Sequence, residues 1–524
     1  LTDKREDKRS DESGTSGSSG GASYLTAATS PRDFADNISA EEYRFYYYGL
    51  TKSIHSTPRL IARSGIDRFS IDFETVGGWN MPKEAMKKRM SIVKPGSHLI
   101  TSIYDSRIRV RIREVIKEID WECVDIARVG RHACYDDNKV FVLITCPKDA
   151  KVDHSTGMRL VQQCQDILNE SGLEDVGVEI KEGTYVPLAG EDGIREHLFE
   201  PVPLIGTSIG IAYRDGAKVS CSSGTIGLYL TIGDNSTPYG LTCRHVIFPP
   251  SRPPPGGPKS GFTHNEGSFR VDAPSFVDCQ EEIEDIETRL KYEEEEYACE
   301  GGLKEQQERG SEYLSEATKG LINCHIKNTN EYQDRLKTMR EFDTDMGFVY
   351  AASADDLSRS EGIRDWAIIK LDPRRLDGCD DSQKIFNKAV QGTVPTSEIN
   401  NPIVCPVPDS EEGGQCHPCM RVVKCGRTTG WTISEVSGIK SDCQRTKGSI
   451  STEIFIPDAR ASAPFSTVGD SGSMIFDFQG RVVGMIHGGN AIEGSTEKIA
   501  TYATPIEDLL KDIEKELGAA VAIA

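Results

Sequence analysis

Hydrophobic and polar positions fall into two textures along this chain. In the first, residues 140–144 (Val-Phe-Val-Leu-Ile) form an unbroken apolar run, the pattern of a buried strand. A polar turn follows, and Met158, Leu160, Val161, Ile167 and Leu168 then recur at helical spacing, with Gly172 placed to stop the helix. Residues 176–180 read as a second strand. Together these predict a small α+β domain over residues 39–195, in which no nucleotide loop or catalytic constellation is visible. A regulatory or docking role suits it as well as a structural one.

From about Pro203 the apolar runs shorten and glycine turns separate them. Residues 208–213, 224–232, 239–246 and 346–352 read as strands whose close spacing predicts a barrel or sandwich. Residues 474–478 and 482–486 flank Gln479-Gly480 as a hairpin, and 502–506 lead into a last helix marked by Ile506, Leu509, Leu510 and Ile513. The series is interrupted over residues 249–345. A proline-rich loop to about residue 276 precedes two long charged helices, 279–300 and 303–342, with Ile283, Ile286 and Leu290 on one face and Leu314, Leu321 and Ile322 on another. This is an inserted helical hairpin, and its acid run 293–296 reads as a solvated helix face rather than a metal site. Residues 1–38, rich in Ser, Gly, Asp and Lys, lack apolar periodicity and predict a disordered tail.

Composition narrows the function classes. The 524 residues carry a net charge of −21, which repels a phosphate backbone and argues against nucleic acid as the main partner. No apolar run approaches the roughly 18 residues needed to cross a bilayer, so a soluble chain without a membrane partner is expected. The 15 cysteines are odd in number and irregularly spaced, which points to a reducing compartment, cytoplasm or nucleus. Cys416-His417-Pro418-Cys419, with Cys405 and Cys425 as further thiols, invites a redox or zinc reading. A turn with incidental thiols is the plainer account, because no second close pair accompanies it. No metal or cofactor is expected.

Three short motifs carry candidate chemistry. Gly469-Asp470-Ser471-Gly472-Ser473 is a glycine-flanked turn that holds one hydroxyl out of regular structure, His245 ends the predicted strand Leu-Thr-Cys-Arg-His-Val, and Asp365 heads the apolar run Asp-Trp-Ala-Ile-Ile. In that order the three motifs resemble a trypsin-like, chymotrypsin-fold (clan PA) serine protease of the kind without disulfides. The chain is similar to the HtrA and glutamyl-endopeptidase branches and to uncharacterised fungal members over about residues 203–518. The resemblance implies an all-β double-barrel domain, so the fold class expected is multidomain: an α+β N-terminal domain, then the double barrel with its helical insertion and C-terminal helix. It also implies roles. Ser471 would be the nucleophile, His245 the general base and Asp365 its orienting acid, with the N–H groups of Gly469 and Ser471 as oxyanion hole. Ile486, His487, Gly488 and Gly489 would lie on the strand that pairs with an extended peptide.

Departures from that pattern matter too. Val246 stands where a cysteine commonly follows the histidine, and His487 falls one position late for an acid-selecting pocket. That shift places the imidazole near Asp365 and turns Ile486 toward the pocket, against an acidic preference. Ile209-Gly210 offers a possible new N-terminus for Asp470, but no basic cleavage site precedes it, and constitutive assembly is expected. The function expected is an intracellular serine endopeptidase acting on protein or peptide substrates, and the rival is a noncatalytic peptide-binding or signalling module on the same fold. The insertion, tethered between two triad motifs, is expected either to restrict access to the cleft or to be a surface appendage. Neither substrate identity nor oligomeric state is legible. The compartment reading has a direct check: thiol titration of denatured protein prepared without oxidant is expected to find nearly all 15 cysteines free, and several thiols appearing only after reduction would overturn it.

Overall fold

Strand Lys139–Cys146 is apolar at nearly every position, and Val142, Leu143, Ile144 and Cys146 have no solvent contact. Helix His154–Glu170 carries the chain back to Gly177–Glu182, which pairs parallel to Lys139–Cys146 as a βαβ crossover requires. Asp153 caps this helix through the Thr156 N–H, and Gly172 ends it at φ 73°. The computed structural model describes residues 38–65, 69–188, 198–215, 218–233, 235–257, 260–263, 269–298, 302–308, 310, 314–354, 364–377, 387, 421–446, 449–458 and 464–524. The expected tail, apart from Ile38, and the Cys416/Cys419 pair lie outside the described residues.

The α+β segment shares its sheet with the C-terminal part of the chain. Cys123–Gly130 pairs with Ser441–Thr446 at Cys123↔Cys443 and Val124↔Asp442, and Ser39–Ala524 forms one compact unit. From there a 13-stranded sheet runs through Ser449–Pro457, Lys498–Pro505, Val482–Ala491, Met474–Asp477 and Arg421–Gly426 to Gly430–Glu435. Buried polar groups fasten the junction. Asp125 accepts hydrogen bonds from Ser441 Oγ (2.6 Å), Tyr502 (3.0 Å) and Asn490 Nδ2 (3.1 Å), while Asp442 is held by Arg109 and Arg113. Each carboxylate therefore enters the interior with its donors, without which burial would be costly.

A nine-stranded sheet orders Lys218–Thr225, Ser208–Asp215, Arg270–Asp272, Asp345–Ala352, Ala367–Leu371, Asn235–Thr242, Leu228–Ile232 and Val521–Ile523, with Phe262–Thr263 beside Asp345–Ala352. Three expectations change here. Arg270–Asp272, inside the stretch expected to be loop, is a strand bridging two others. The strand expected at 224–232 is broken at Ile226-Gly227, where the serine loop packs so closely that a Cβ on Gly227 would lie 2.3 Å from Gly472 O. His245 sits not at a strand end but on the one-turn helix Arg244–Ile247 that follows Asn235–Thr242. The pairings among the described residues close neither sheet into a barrel.

The insertion contains helices Phe276–Ala298, Leu303–Glu308 and Glu316–Glu341. Ile286, Leu336 and Met339 form its small core, whereas Leu321 faces solvent. Of the acid run, Glu293 meets His325 Nδ1 at 2.7 Å and Glu294, Glu295 and Glu296 are exposed. At its base, Arg427 grips Asp278 through two bonds, Nε–Oδ2 of 2.6 Å and Nη2–Oδ1 of 2.5 Å, with both side chains buried. Removing one partner of such a pair strands the other charge. Asp278→Ala is accordingly expected to cost about 3–5 kcal/mol in denaturant unfolding, and an unchanged midpoint would show that the helices are not anchored through this bridge.

Candidate active site

Register brings the first two motifs together. Asn235–Thr242 pairs antiparallel with Ala367–Leu371 at Thr242↔Ala367, so the residues just beyond both strands, Arg244-His245 and Asp365, meet at the same end. Arg244 N–H donates to the Asp365 carbonyl and His245 N–H to its Oδ1, each part of one interlocked turn. His245 Nδ1 lies 2.6 Å from Asp365 Oδ2, and His245 Nε2 lies 2.7 Å from Ser471 Oγ. All three side chains are buried. Burial pushes the Asp365 carboxyl up, but the charges of His245 and Arg445, the His245 hydrogen bond and nearby His487 together hold it well below the usual carboxylate range. Arg445 Nη1, 3.5 Å from Asp365 Oδ2, enters from strand Ser441–Thr446, and its motif gave no sign of this role in sequence.

The serine loop comes from the other sheet and is clamped by both. Thr225 N–H donates to Ser471 O (2.8 Å), Thr225 Oγ1 to Gly469 O (3.0 Å) and Gly472 N–H to Ile486 O (2.9 Å). Gly469 and Gly472 hold φ of 100° and 93°, and a Cβ at 472 would stand 2.3 Å from Thr225 O, so glycine is required there on both counts. Asp470 anchors the turn from below. It accepts from the N–H groups of Thr428, Thr429 and Thr467, from Thr429 Oγ1, and from Lys424 Nζ at 3.1 Å. Burial raises its carboxyl and the Lys424 charge with these hydrogen bonds lowers it, for a net shift downward. Lys424 is thus the cation beside Asp470, and Ile209 lies within strand Ser208–Asp215.

Two N–H groups beside the serine converge on a single carbonyl oxygen. Gly469 N–H and Ser471 N–H, the latter at 3.3 Å, both donate to Leu188 O, and Leu188 N–H donates to Ser471 Oγ at 3.0 Å. The preceding strand, Thr184–Pro187, pairs antiparallel with Val482–Ala491 at Pro187↔Gly488, Val186↔Gly489 and Tyr185↔Asn490. Gly488 and Gly489 are thus paired with an extended segment of the chain itself. A Cβ on Gly488 would lie 2.3 Å from the Tyr185 hydroxyl, so the glycine makes room for that ring. Tyr185 stacks on His487 (5.8 Å between centroids) and its hydroxyl meets His487 Nδ1 at 2.7 Å, while Nε2 faces Glu453 at 3.3 Å. Both imidazole nitrogens are thus engaged away from the leucine. Ile486 belongs instead to the apolar cluster that receives Leu188. Thr184–Leu188 escaped the sequence reading, although Tyr-Val-Pro-Leu is an extended pattern whose proline suits an edge strand.

Cys243, His245 and Asp365 bring potential metal ligands within 4.8 Å of one another. Burial, reinforced by Asp365, pushes the Cys243 thiol up, and its Sγ contacts Ile486 O at 3.2 Å, so this trio fits a hydrogen-bonded site better than an ion.

No family model and no curated protein matches the chain. Among solved structures it is similar to a glutamic-acid-specific serine protease (12% identity, 61% of this chain, 100% of that one, TM-score 0.25). It is also similar to Thermobifida fusca Protease A (11%, 61% and 98%, TM-score 0.27) and Cellulomonas bogoriensis chymotrypsin (12%, 61% and 97%, TM-score 0.23). Scores this low carry no weight for the site, which rests on its own geometry.

The Lys424–Asp470 pair gives a signed pH test. An aspartate held below its unfolded value of about 3.9 contributes stability that is complete above that pH and drains as pH falls through the folded value. Lys424→Met leaves Asp470 buried without its cation, at an expected cost of about 3–5 kcal/mol at pH 7. Because the variant's Asp470 takes up a proton more readily, the deficit should narrow as pH is lowered toward 4 in urea titrations. A deficit independent of pH would mean that the two groups are not coupled.

Proposed function

We propose that the chain is a serine endopeptidase that hydrolyses peptide bonds through His245, Asp365 and Ser471. One observation carries the reading: unbroken contacts run from Asp365 through His245 to the Ser471 hydroxyl, which opens onto two N–H groups that share one carbonyl oxygen. In this mechanism Ser471 Oγ attacks the substrate carbonyl carbon while His245 Nε2 takes its proton. Asp365 keeps the Nδ1 proton facing itself and stabilises the imidazolium. The Gly469 and Ser471 N–H groups receive the developing oxyanion, a contribution of about 10²–10³ in turnover per donor. His245 then returns its proton to the leaving amine, and water hydrolyses the acyl-enzyme by the same path in reverse. On this reading the two sheets stand for the two halves of a trypsin-like domain, and a protein or peptide enters along Val482–Ala491. A reducing setting, cytoplasm or nucleus, suits the free thiols.

A fluorophosphonate probe tests this at the atom concerned. Because Thr184–Leu188 covers Ser471, the Leu188→Gly variant, which loses its buried anchor, is expected to react faster than the unchanged chain. Peptide mapping should place the adduct on Ser471 and find none after His245→Ala. No adduct on Ser471 in either the unchanged chain or the Leu188→Gly variant would sink the hydrolytic reading in favour of a noncatalytic peptide-binding module.

A further inference from the structure

We propose that the chain is its own substrate: Ser471 cleaves the bond between Leu188 and Ala189, and the site selects a leucine-sized apolar side chain on the acyl side of the bond. This rests on the hydrolytic reading above and adds to it a substrate, a position and a specificity.

Three independent features of Thr184–Leu188 coincide. Its backbone is paired in register with the strand expected to take a peptide, Val186 opposite Gly489 and Pro187 opposite Gly488. Its last described carbonyl, that of Leu188, accepts from both N–H groups that flank the nucleophile. Its leucine side chain has no exposed surface and joins the apolar cluster that contains Phe465 and Ile486, with Val468 packed against it. A strand docked only to complete a sheet needs the first feature and has no use for the second. Pairing of groups 283 positions apart, Leu188 N–H with Ser471 Oγ, also makes the attack intramolecular, with the entropy of bringing reactants together already met by the fold.

The step balances without a co-reactant other than water. Ser471 Oγ bonds to the Leu188 carbonyl carbon as its proton passes to His245 Nε2, and the carbonyl electron pair becomes an oxyanion on the Gly469 and Ser471 N–H groups. Collapse breaks the C–N bond to Ala189, whose nitrogen takes the proton from His245. Water then attacks the Leu188 ester, giving one proton to His245 and onward to Ser471 Oγ. The products are a carboxylate at Leu188 and an amine at Ala189. The two pieces stay joined, because Cys123–Gly130 and Ser441–Thr446 remain paired across the cut.

Denaturing mass spectrometry of the full chain over time tests the proposal. The expected result is conversion to two fragments, one ending at Leu188 and one beginning at Ala189, at a rate independent of protein concentration and without change in native size. Ser471→Ala should remain a single chain. Leu188→Ala should slow the cut by roughly 10²-fold, the discrimination expected when an apolar pocket loses methylenes, and Leu188→Met should largely restore it. A chain that stays intact yet takes the fluorophosphonate on Ser471, either unchanged or as Leu188→Gly, overturns self-cleavage and leaves the protease reading standing, whereas an intact chain with no adduct in either form overturns both. A cut that persists in Ser471→Ala, or that is indifferent to Leu188→Ala, also overturns the proposal.

Discussion

The geometry around Ser471 depends on one buried carboxylate. Asp470 collects three backbone N–H groups, a threonine hydroxyl and the Lys424 ammonium, and these donors come from Arg421–Gly426, the turn after it and the serine loop itself. A carboxylate taken out of water demands such partners, so the demand fixes how the loop sits. The loop in turn is forced through left-handed conformations at Gly469 and Gly472, and only in that shape do the N–H groups of residues 469 and 471 face the same point. The turn's shape is thus held in place by electrostatics a few ångströms away.

How much of this was legible in the sequence follows the range over which each feature is encoded. His245, Asp365 and Ser471 sit in short motifs whose chemistry is local, and the register Thr242↔Ala367 needed only ordinary strand patterns to bring two of them together. Helix His154–Glu170 and its stop at Gly172 were equally readable, since period and capping are local. Arg270–Asp272 was not, because three residues are too few to display alternation against a proline- and glycine-rich background. The break at Ile226-Gly227 was hidden as well: the residue packed against it, Gly472, lies far along the chain. Arg445 and Leu188 were invisible for the same reason, being ordinary residues until tertiary structure sets one beside Asp365 and the other beside Ser471.

The junction between the two textures shows the same long-range encoding. Composition changes sharply near residue 200, yet hydrogen bonds run through the junction, and the polar groups that seal it are contributed from both sides. Asp125, Asn490 and Tyr502 are individually unremarkable in sequence, and their value appears only as a satisfied set. The N-terminal segment is thereby part of the same sheet that presents the serine loop.

Strand Val482–Ala491 has a further consequence beyond chemistry. Its early residues pair with Met474–Asp477, but that partner ends before residues 488–491, where the same edge is taken by Thr184–Pro187. An unpaired strand edge is a template for adding strands of other molecules, the usual beginning of aggregation. Thr184–Pro187 shields that edge, and Pro187, which has no N–H to offer, presents a backbone poorly suited to extending the sheet outward. The segment that reaches the serine therefore also occupies the part of the edge where another strand would add.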